Sequence, residues 1–131
     1  SVETFTNRTL HRWLESGIDD HHIEVAVNWA IWHAQTYLVT VRDGQVVEFD
    51  SYCTPTILEN GGCVVEPYTA EDYTVNSLFS RILNIISDRP DAVYAEFDTT
   101  YPIPTYVRID YPEMYDEQVT YQVPVFEPEG E

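Results

Sequence analysis

The stretch GIDDHHIEV, residues 17–25, concentrates side chains that can bind a metal ion. Asp19, His21, His22 and Glu24 place oxygen and nitrogen ligands within six residues. Neighbouring side chains of an extended strand point to opposite faces, so His21 and His22 do not share one ion there. His21 can share a face with Asp19, and His22 with Asp20 and Glu24, which gives two or three ligands and is short of the four of a structural zinc site. The pattern predicts either a site for zinc, copper or calcium that is completed from elsewhere, or a polar turn before a strand, and we favour the turn.

A second acidic run, DYPEMYDE at 110–117, has the oxygen ligands that calcium prefers. The EF-hand pattern is absent, however, and Pro112 stiffens the segment. We therefore expect a solvated hairpin loop here.

No catalytic motif accompanies these clusters. The chain has no lysine, which excludes Schiff-base chemistry and a P-loop. It also lacks the G-x-S-x-G motif of serine hydrolases. Because the chain has many carboxylates, some of them lie close together by chance. A close pair is therefore weak evidence for glycoside hydrolysis. We predict a protein that is not an enzyme and has no cofactor, unless a divalent metal binds at 19–24.

The net charge of −17 limits the partners of the chain. Such a surface repels phosphate backbones and anionic membranes, so we expect no nucleic-acid partner. No apolar run is long enough to span a membrane, and no signal peptide is visible. The acidity serves solubility or adaptation to salt, or it forms an acidic face for a basic partner or divalent cations.

Two cysteines, Cys53 and Cys63, flank a segment rich in turn-forming residues. They lack the C-x-x-C spacing of zinc or thioredoxin-like sites. A disulfide that closes a loop of this size contributes about 3 kcal/mol in the chain-entropy model. The spacing favours this disulfide and an extracytoplasmic location, and the alternative is two buried free thiols in the cytosol.

Hydrophobic periodicity predicts an α+β domain with an antiparallel sheet of five to six strands and two helices packed on one face. The predicted helices are 6–16 and 76–88; the predicted strands are 23–32, 36–42, 45–49, 92–98, 105–111 and 118–126. Thr6 or Asn7 is the expected N-cap of the first helix, and Leu10, Trp13 and Leu14 form its expected apolar face. Asp43-Gly44 predicts a hairpin turn. A cysteine-bearing loop is expected at 51–72. Pro124 predicts that the last strand is an edge strand or ends there.

We expect one domain over 1–131. It comprises an N-terminal helix and turn (1–22), an α+β part (23–126) and a mobile acidic tail (127–131).

Aromatic side chains on the polar faces of the predicted strands, with one arginine, suggest an interaction surface. Tyrosine, tryptophan and arginine dominate the binding energy of protein interfaces. The alternative is half-covered aromatics, which are common in antiparallel sheets. The predicted surface comprises Trp32, Tyr94, Tyr106, Arg108, Tyr111 and Tyr115.

The last third of the chain resembles the DUF6174 family, small bacterial secreted proteins and lipoproteins of unknown function. The motifs are Phe97-Asp98, Tyr101-Pro102, VRID at 107–110, Asp116-Glu117 and YQV at 121–123. Upstream, VTVRDGQVV and LFSRILNII are similar to the hairpin and the central helix of the family, so the resemblance covers about 23–126. The chain lacks the C-x-C pair common in the first long strand of the family, and the glycine of its Y-G-Y-P motif. The resemblance implies an envelope location and a non-catalytic role.

We therefore expect a non-catalytic extracytoplasmic interaction or structural module, an accessory subunit of a larger envelope or extracellular assembly. It would bind a protein partner, or itself, through the sheet surface and an edge strand near 119–126. The alternative is an extracytoplasmic protein that binds zinc, copper or calcium at the acidic histidine cluster.

Overall fold

Two helices and six strands form the described part of the chain, which in the computed structural model comprises residues 1–30, 33–55, 63–111 and 117–129. In chain order these are α1 (Val2–Glu15), β1 (His21–Ala30), β2 (His33–Arg42), β3 (Gln45–Pro55), α2 (Val75–Asp88), β4 (Val93–Phe97), β5 (Pro104–Tyr111) and β6 (Glu117–Pro128). Short 3-10 turns precede α2 (Ala70–Tyr73) and β4 (Pro90–Ala92). All paired strands are antiparallel, which confirms the predicted α+β fold and its element order.

The sheet has the order β3-β2-β1-β6-β5-β4, so the last strand lies at its centre. The prediction of an edge strand from Pro124 is wrong. The register with β1 shifts at this point, because Glu24 pairs with Val125 whereas Ala26 pairs with Gln122. Pro124 therefore falls in a bulge, where its missing N–H costs no ladder hydrogen bond. The edges of the sheet are β3 and β4.

The core lies on one face of the sheet, under both helices. Alternate residues of β1 point into it: Ile23, Val25 and Val27 are buried, as the period of two predicts. Ile82 of α2 and Trp13 of α1 belong to the same buried cluster. The Trp13 indole Nε1 also donates a hydrogen bond to Asn76 of α2, 2.7 Å away.

Helix α1 starts earlier than the sequence predicts, and a different set of its residues points into the core. Ser1 caps it, with Oγ accepting from the N–H of Thr4 at 3.2 Å, and Thr6 or Asn7 does not. Thr6 and Thr9 are buried, whereas Leu14, expected on the apolar face, is 63 % exposed. Each threonine hydroxyl donates a hydrogen bond to the backbone carbonyl one turn earlier. This bond satisfies the hydroxyl, so the threonine side chain can face the core.

The β2–β3 hairpin confirms the predicted turn, since Asp43 and Gly44 both have positive φ, 52° and 76°. Strand β3, in contrast, continues to Pro55, six residues past its expected end at 49. The predicted loop at 51–72 therefore overlaps a strand whose extra residues pair with β2.

The C-terminal segment is held to the sheet as far as the structure describes it. Strand β6 runs to Pro128, the N–H of Glu129 donates to the Asp20 carbonyl at 2.9 Å, and the Glu129 carboxylate lies 2.8 Å from Arg42. Residues 127–129 of the expected tail therefore pair with β1 or contact β2, and the mobility of the tail stays a prediction. Among the described helices, none is long and apolar enough to cross a membrane.

Candidate functional site

The two histidines of the Asp19–Glu24 cluster lie on opposite faces of β1. His21 points into the core and is 3 % exposed. Its ring lies 5.5 Å from that of Trp13 and 5.3 Å from that of Phe126, measured between centroids. Neither ring nitrogen has a hydrogen-bond partner among the described residues. Burial lowers the pKa of His21 below its ordinary value, so the imidazole favours the neutral form.

His22 lies on the open face of the sheet, where two side chains orient its ring. Its Nε2 lies 3.1 Å from Glu24 Oε2, and its Nδ1 lies 3.1 Å from Thr40 Oγ1 on β2. The imidazole is half-buried between a carboxylate and a hydroxyl, an arrangement that fixes its orientation. His22 and Glu24 are thus the two candidate metal ligands that the structure brings into contact.

The acidic residues before β1 tie the hairpin to the sheet. Asp20 Oδ1 accepts from the N–H of Asp43 at 2.8 Å, and the Asp19 carbonyl accepts from the N–H of Gly44 at 3.2 Å. The side chain of Asp19 lines a cavity of about 160 Å³ together with His21. Within the described ranges, no three histidine, cysteine, aspartate or glutamate side chains come close enough to hold one ion. Asp19 and Asp20 thus lie in the connection before β1, and His21, His22 and Glu24 lie in the strand itself.

Three of the residues predicted for an interaction surface meet on the open face of β4 and β5. Tyr94 pairs with Arg108 across the two strands, and the guanidinium carbon lies 5.2 Å from the centre of the Tyr94 ring. The Tyr106 ring lies 6.0 Å from the Tyr94 ring, and the Tyr94 hydroxyl donates to Glu96 at 2.5 Å. This hydrogen bond is the first cause of the raised pKa of Tyr94, and burial is the second.

Three further residues were predicted for the same interaction surface. Trp32, Tyr115 and the side chain of Tyr111 lie outside the described residues.

The most exposed apolar strand is one that the sequence did not single out. Strand β3 forms one edge of the sheet and is eleven residues long. Val47, Phe49 and Tyr52 on it are more than half exposed. Val64 and Val65 are exposed as well, and they directly follow the cysteine that is bonded to β3. The edge therefore combines a strand that has one neighbour in the sheet with exposed apolar side chains.

The end of β3 is held by the predicted disulfide. Cys53 of β3 is bonded to Cys63, with 6.0 Å between the two Cα atoms. The bond ties the segment 63–69 to the strand and confirms the prediction from the cysteine spacing.

A buried glutamine holds the same segment from the core side, and sequence reasoning missed it. Gln35 is 0 % exposed. Its Oε1 accepts from the N–H of Glu66 at 3.0 Å, and its Nε2 donates to the Glu66 carbonyl and to Ser51 Oγ, each at 3.1 Å. The signal was present in the alternation of β2, in which this amide occupies an inward position otherwise filled by Tyr37 and Val39.

Tyrosine side chains pack beneath the β3 edge. The rings of Tyr37 and Tyr73 stack with centroids 3.6 Å apart, and Tyr68 lies 5.0 Å from Tyr37. Phe49 of β3 meets Tyr68 at 6.1 Å. Burial and then the hydrogen bond with Tyr73 raise the pKa of Tyr37 far above its usual range. The edge strand thus lies on a rigid aromatic layer while its outer side stays exposed.

A family model matches residues 6–128 of the chain, which therefore belongs to DUF6174, described as a family of unknown function. The match includes most of α1 and is wider than the 23–126 expected from the motifs. No curated protein matches the chain, and no solved structure does.

Proposed function

We propose that this DUF6174 protein is a non-catalytic extracytoplasmic interaction module, an accessory or structural subunit that joins a protein partner through the β3 edge. The observation that carries the proposal is the exposure of Val47, Phe49 and Tyr52 on an eleven-residue edge strand. Phe49 and Tyr52 lie on opposite faces of this strand, so an added strand would contact exposed apolar side chains on both faces.

The physical argument is that unprotected strand edges are normally avoided. Proteins shorten such strands, charge them, bend them or cover them, because free N–H and C=O groups recruit other strands. Strand β3 carries two carboxylates and one register shift with β2, but it is eleven residues long and its Phe49 and Tyr52 stay exposed. An incoming strand would satisfy its backbone groups and cover Phe49, which is the common way in which sheet edges bind peptides.

The extracytoplasmic part of the proposal rests on the disulfide. Disulfides form and persist in oxidising compartments and are rare in the cytosol. The Cys53–Cys63 bond is compatible with a secreted, periplasmic or cell-surface protein. The resemblance to secreted proteins and lipoproteins points the same way.

The alternative function, metal binding, has one observation in its favour. His22 and Glu24 lie in contact on the open face of the sheet, with 3.1 Å between Nε2 and Oε2. Two ligands hold an ion weakly unless a partner chain or water completes the site. Interaction through β3 therefore remains the first proposal.

Site-directed photo-crosslinking in the native source tests the interaction. Benzoylphenylalanine replaces Tyr52 on β3 in one variant and Phe5 on α1 in the other, two positions with the same 51 % exposure. We expect one discrete crosslinked product from position 52 and none of that mass from position 5. Equal crosslinking from both positions, or none from position 52, would overturn the proposal.

A further inference from the structure

We propose that the β3 edge binds an extended segment of another protein in which basic side chains alternate with apolar ones. This inference rests on the proposed function and names the chemistry of its partner. It follows from the two different faces that β3 presents along its free edge.

The open face of β3 carries two carboxylates, Glu48 and Asp50, followed by Tyr52, which pairs with Thr36. Glu48 and Asp50 point to this face, because they pair with Thr40 and Leu38 of β2, whereas the core-facing Val39 pairs with Phe49. Both carboxylates are exposed. Asp50 accepts from the backbone N–H of Ser51 at 2.8 Å. Within the described residues no cation forms an ion pair with either of them.

An incoming strand would place every second side chain next to these carboxylates. Directly opposed side chains of paired antiparallel strands have Cβ atoms about 4.5–5.5 Å apart, and opposite charges there are favourable. Lysine or arginine at alternate positions of the partner would therefore face Glu48 and Asp50. The chain itself has only six cationic residues against 23 acidic ones, so the complementary charge comes from elsewhere.

The opposite face of the same edge is apolar. Phe49 points to the helix side of the sheet yet is 63 % exposed, and the exposed Val47 lies in the register shift between Val46 and Glu48. Val64, which follows the bonded Cys63, is 80 % exposed. The intervening side chains of an added strand would cover this apolar area, at about 25 cal/mol per Å² of buried surface. Because side chains alternate between the two faces of a strand, each basic residue of the partner would be followed by an apolar one.

A second copy of this chain fits the edge poorly. Two β3 strands that pair about a twofold axis bring the same face of each strand together. The Glu48 and Asp50 rows would then oppose one another, and like charges across a strand pair are destabilising. Two chains of charge −17 also repel one another before contact.

Two synthetic peptides test this partner chemistry on the full chain. The first is a capped ten-residue peptide of alternating lysine and valine, and the second has glutamate in place of lysine. Binding is measured by titration at 0.15 M salt, and the site is located by amide hydrogen exchange. We expect the lysine peptide to bind and to protect amides of β3 but not of β4, and the glutamate peptide not to bind.

Charge-reversed variants separate the local charge of β3 from the bulk charge. E48K/D50K should weaken binding of the lysine peptide about tenfold and gain affinity for the glutamate peptide. The control E15K/D88K adds the same charge at two exposed positions in the last turns of α1 and α2, where cations are tolerated. The control should change binding less than about threefold, because distant charges are screened at this salt concentration.

Three outcomes would overturn the inference: equal binding of both peptides, protection of β4 instead of β3, or equal effects of the two double variants. If the peptides fail while position 52 still crosslinks to a native partner, the partner chemistry is wrong and the interaction function stands. A dimer of this chain at β3 would also contradict the inference, since the occupant would then be a second copy.

Discussion

The two edges of the sheet are protected in different ways. Strand β4 has five residues, and its Phe97 packs on Phe5 of α1 and on Phe79 of α2, with ring centroids 5.2 and 6.3 Å apart. Strand β3 has eleven residues, and its Phe49 meets only the half-buried Tyr68 among the described rings. Phe97 of β4 thus packs against both helices, whereas Phe49 of β3 contacts neither of them among the described ring pairs and stays exposed.

The difference shows that an edge strand can be held at its end while its side chains stay exposed. The end of β3 is fixed by the disulfide and by Gln35, which acts through the backbone of Glu66. Both devices lie at the end and on the core side of the strand, so neither occupies its free backbone groups. Such an edge loses little conformational entropy when a partner strand adds to it, and this preorganisation favours binding.

Removal of the disulfide should have the largest effect on the open edge. In C53S/C63S we expect the free energy of unfolding to fall by about 3 kcal/mol, because the unfolded chain regains the entropy of the closed loop. Hydrogen exchange should accelerate at the end of β3 while β4 changes only with the global stability. Denaturant titration measures the first effect. A loss below about 1 kcal/mol would mean that Gln35 and the tyrosines hold the segment without the bond.

Replacement of the buried glutamine should be almost as costly. Gln35→Leu removes two hydrogen bonds to the backbone of Glu66 and one to Ser51, and each such bond contributes about 0.5–1.5 kcal/mol net. We expect a loss of about 2 kcal/mol in urea unfolding. The matched control, Gln45→Leu at the exposed start of β3, should be neutral. Equal losses of stability in the two variants would show that Gln35 does not hold the edge.

The same truncation at the two edges should differ in cost. Phe97→Ala removes contacts with both helices and should destabilise the fold by about 2 kcal/mol or more, somewhat below the range for fully buried phenylalanines. Phe49→Ala should cost less than about 0.5 kcal/mol, as surface changes do. Thermal unfolding of both variants gives the comparison. Similar losses would show that β3 is as integral to the core as β4.

Protonation of His21, which lies on the inner strand β1, should lower the stability of both edges of the sheet alike. Burial lowers its pKa below 6.5, so in mildly acidic solution the unfolded chain binds more protons than the folded chain. Stability should therefore fall as the pH drops from about 7.5 through 6.5 to 5, by up to about 1.4 kcal/mol per unit of pKa depression. His21→Phe should flatten this dependence. A wild-type stability that is unchanged or rises over this range would contradict the prediction.

Divalent ions should have the smallest effect. Since the described residues bring only His22 and Glu24 together in the predicted cluster, we expect zinc, copper and calcium to leave the melting temperature unchanged. A ligand that binds only the folded state raises stability. A rise in the melting temperature of the wild type that disappears in His22→Ala would establish metal binding, the alternative function.

Local patterns in the sequence predicted the elements, but not the order of the strands. The alternation of Ile23 and Val25 and the Asp43-Gly44 turn depend on neighbouring residues, so strand and hairpin were found. Pro124 was misread because its tolerance depends on a bulge formed with β1, a contact distant in sequence.

The open edge was missed for a related reason. The place of β3 at the end of the sheet and the binding of Gln35 to Glu66 arise only when strands pair. Composition had already suggested an acidic face for a basic partner, yet periodicity alone did not locate it on Glu48 and Asp50.

The native mass of the chain tests the central claim most directly. Wild type, Phe49→Lys and Leu14→Lys are each extracted gently from the source and separated by size; Phe49 and Leu14 are both 63 % exposed. We predict that wild type and Leu14→Lys run far above the 15.2 kDa of one chain, whereas Phe49→Lys runs at that mass. A wild type that runs as a monomer, or a Phe49→Lys variant that stays in the large particle, would contradict an interaction through β3.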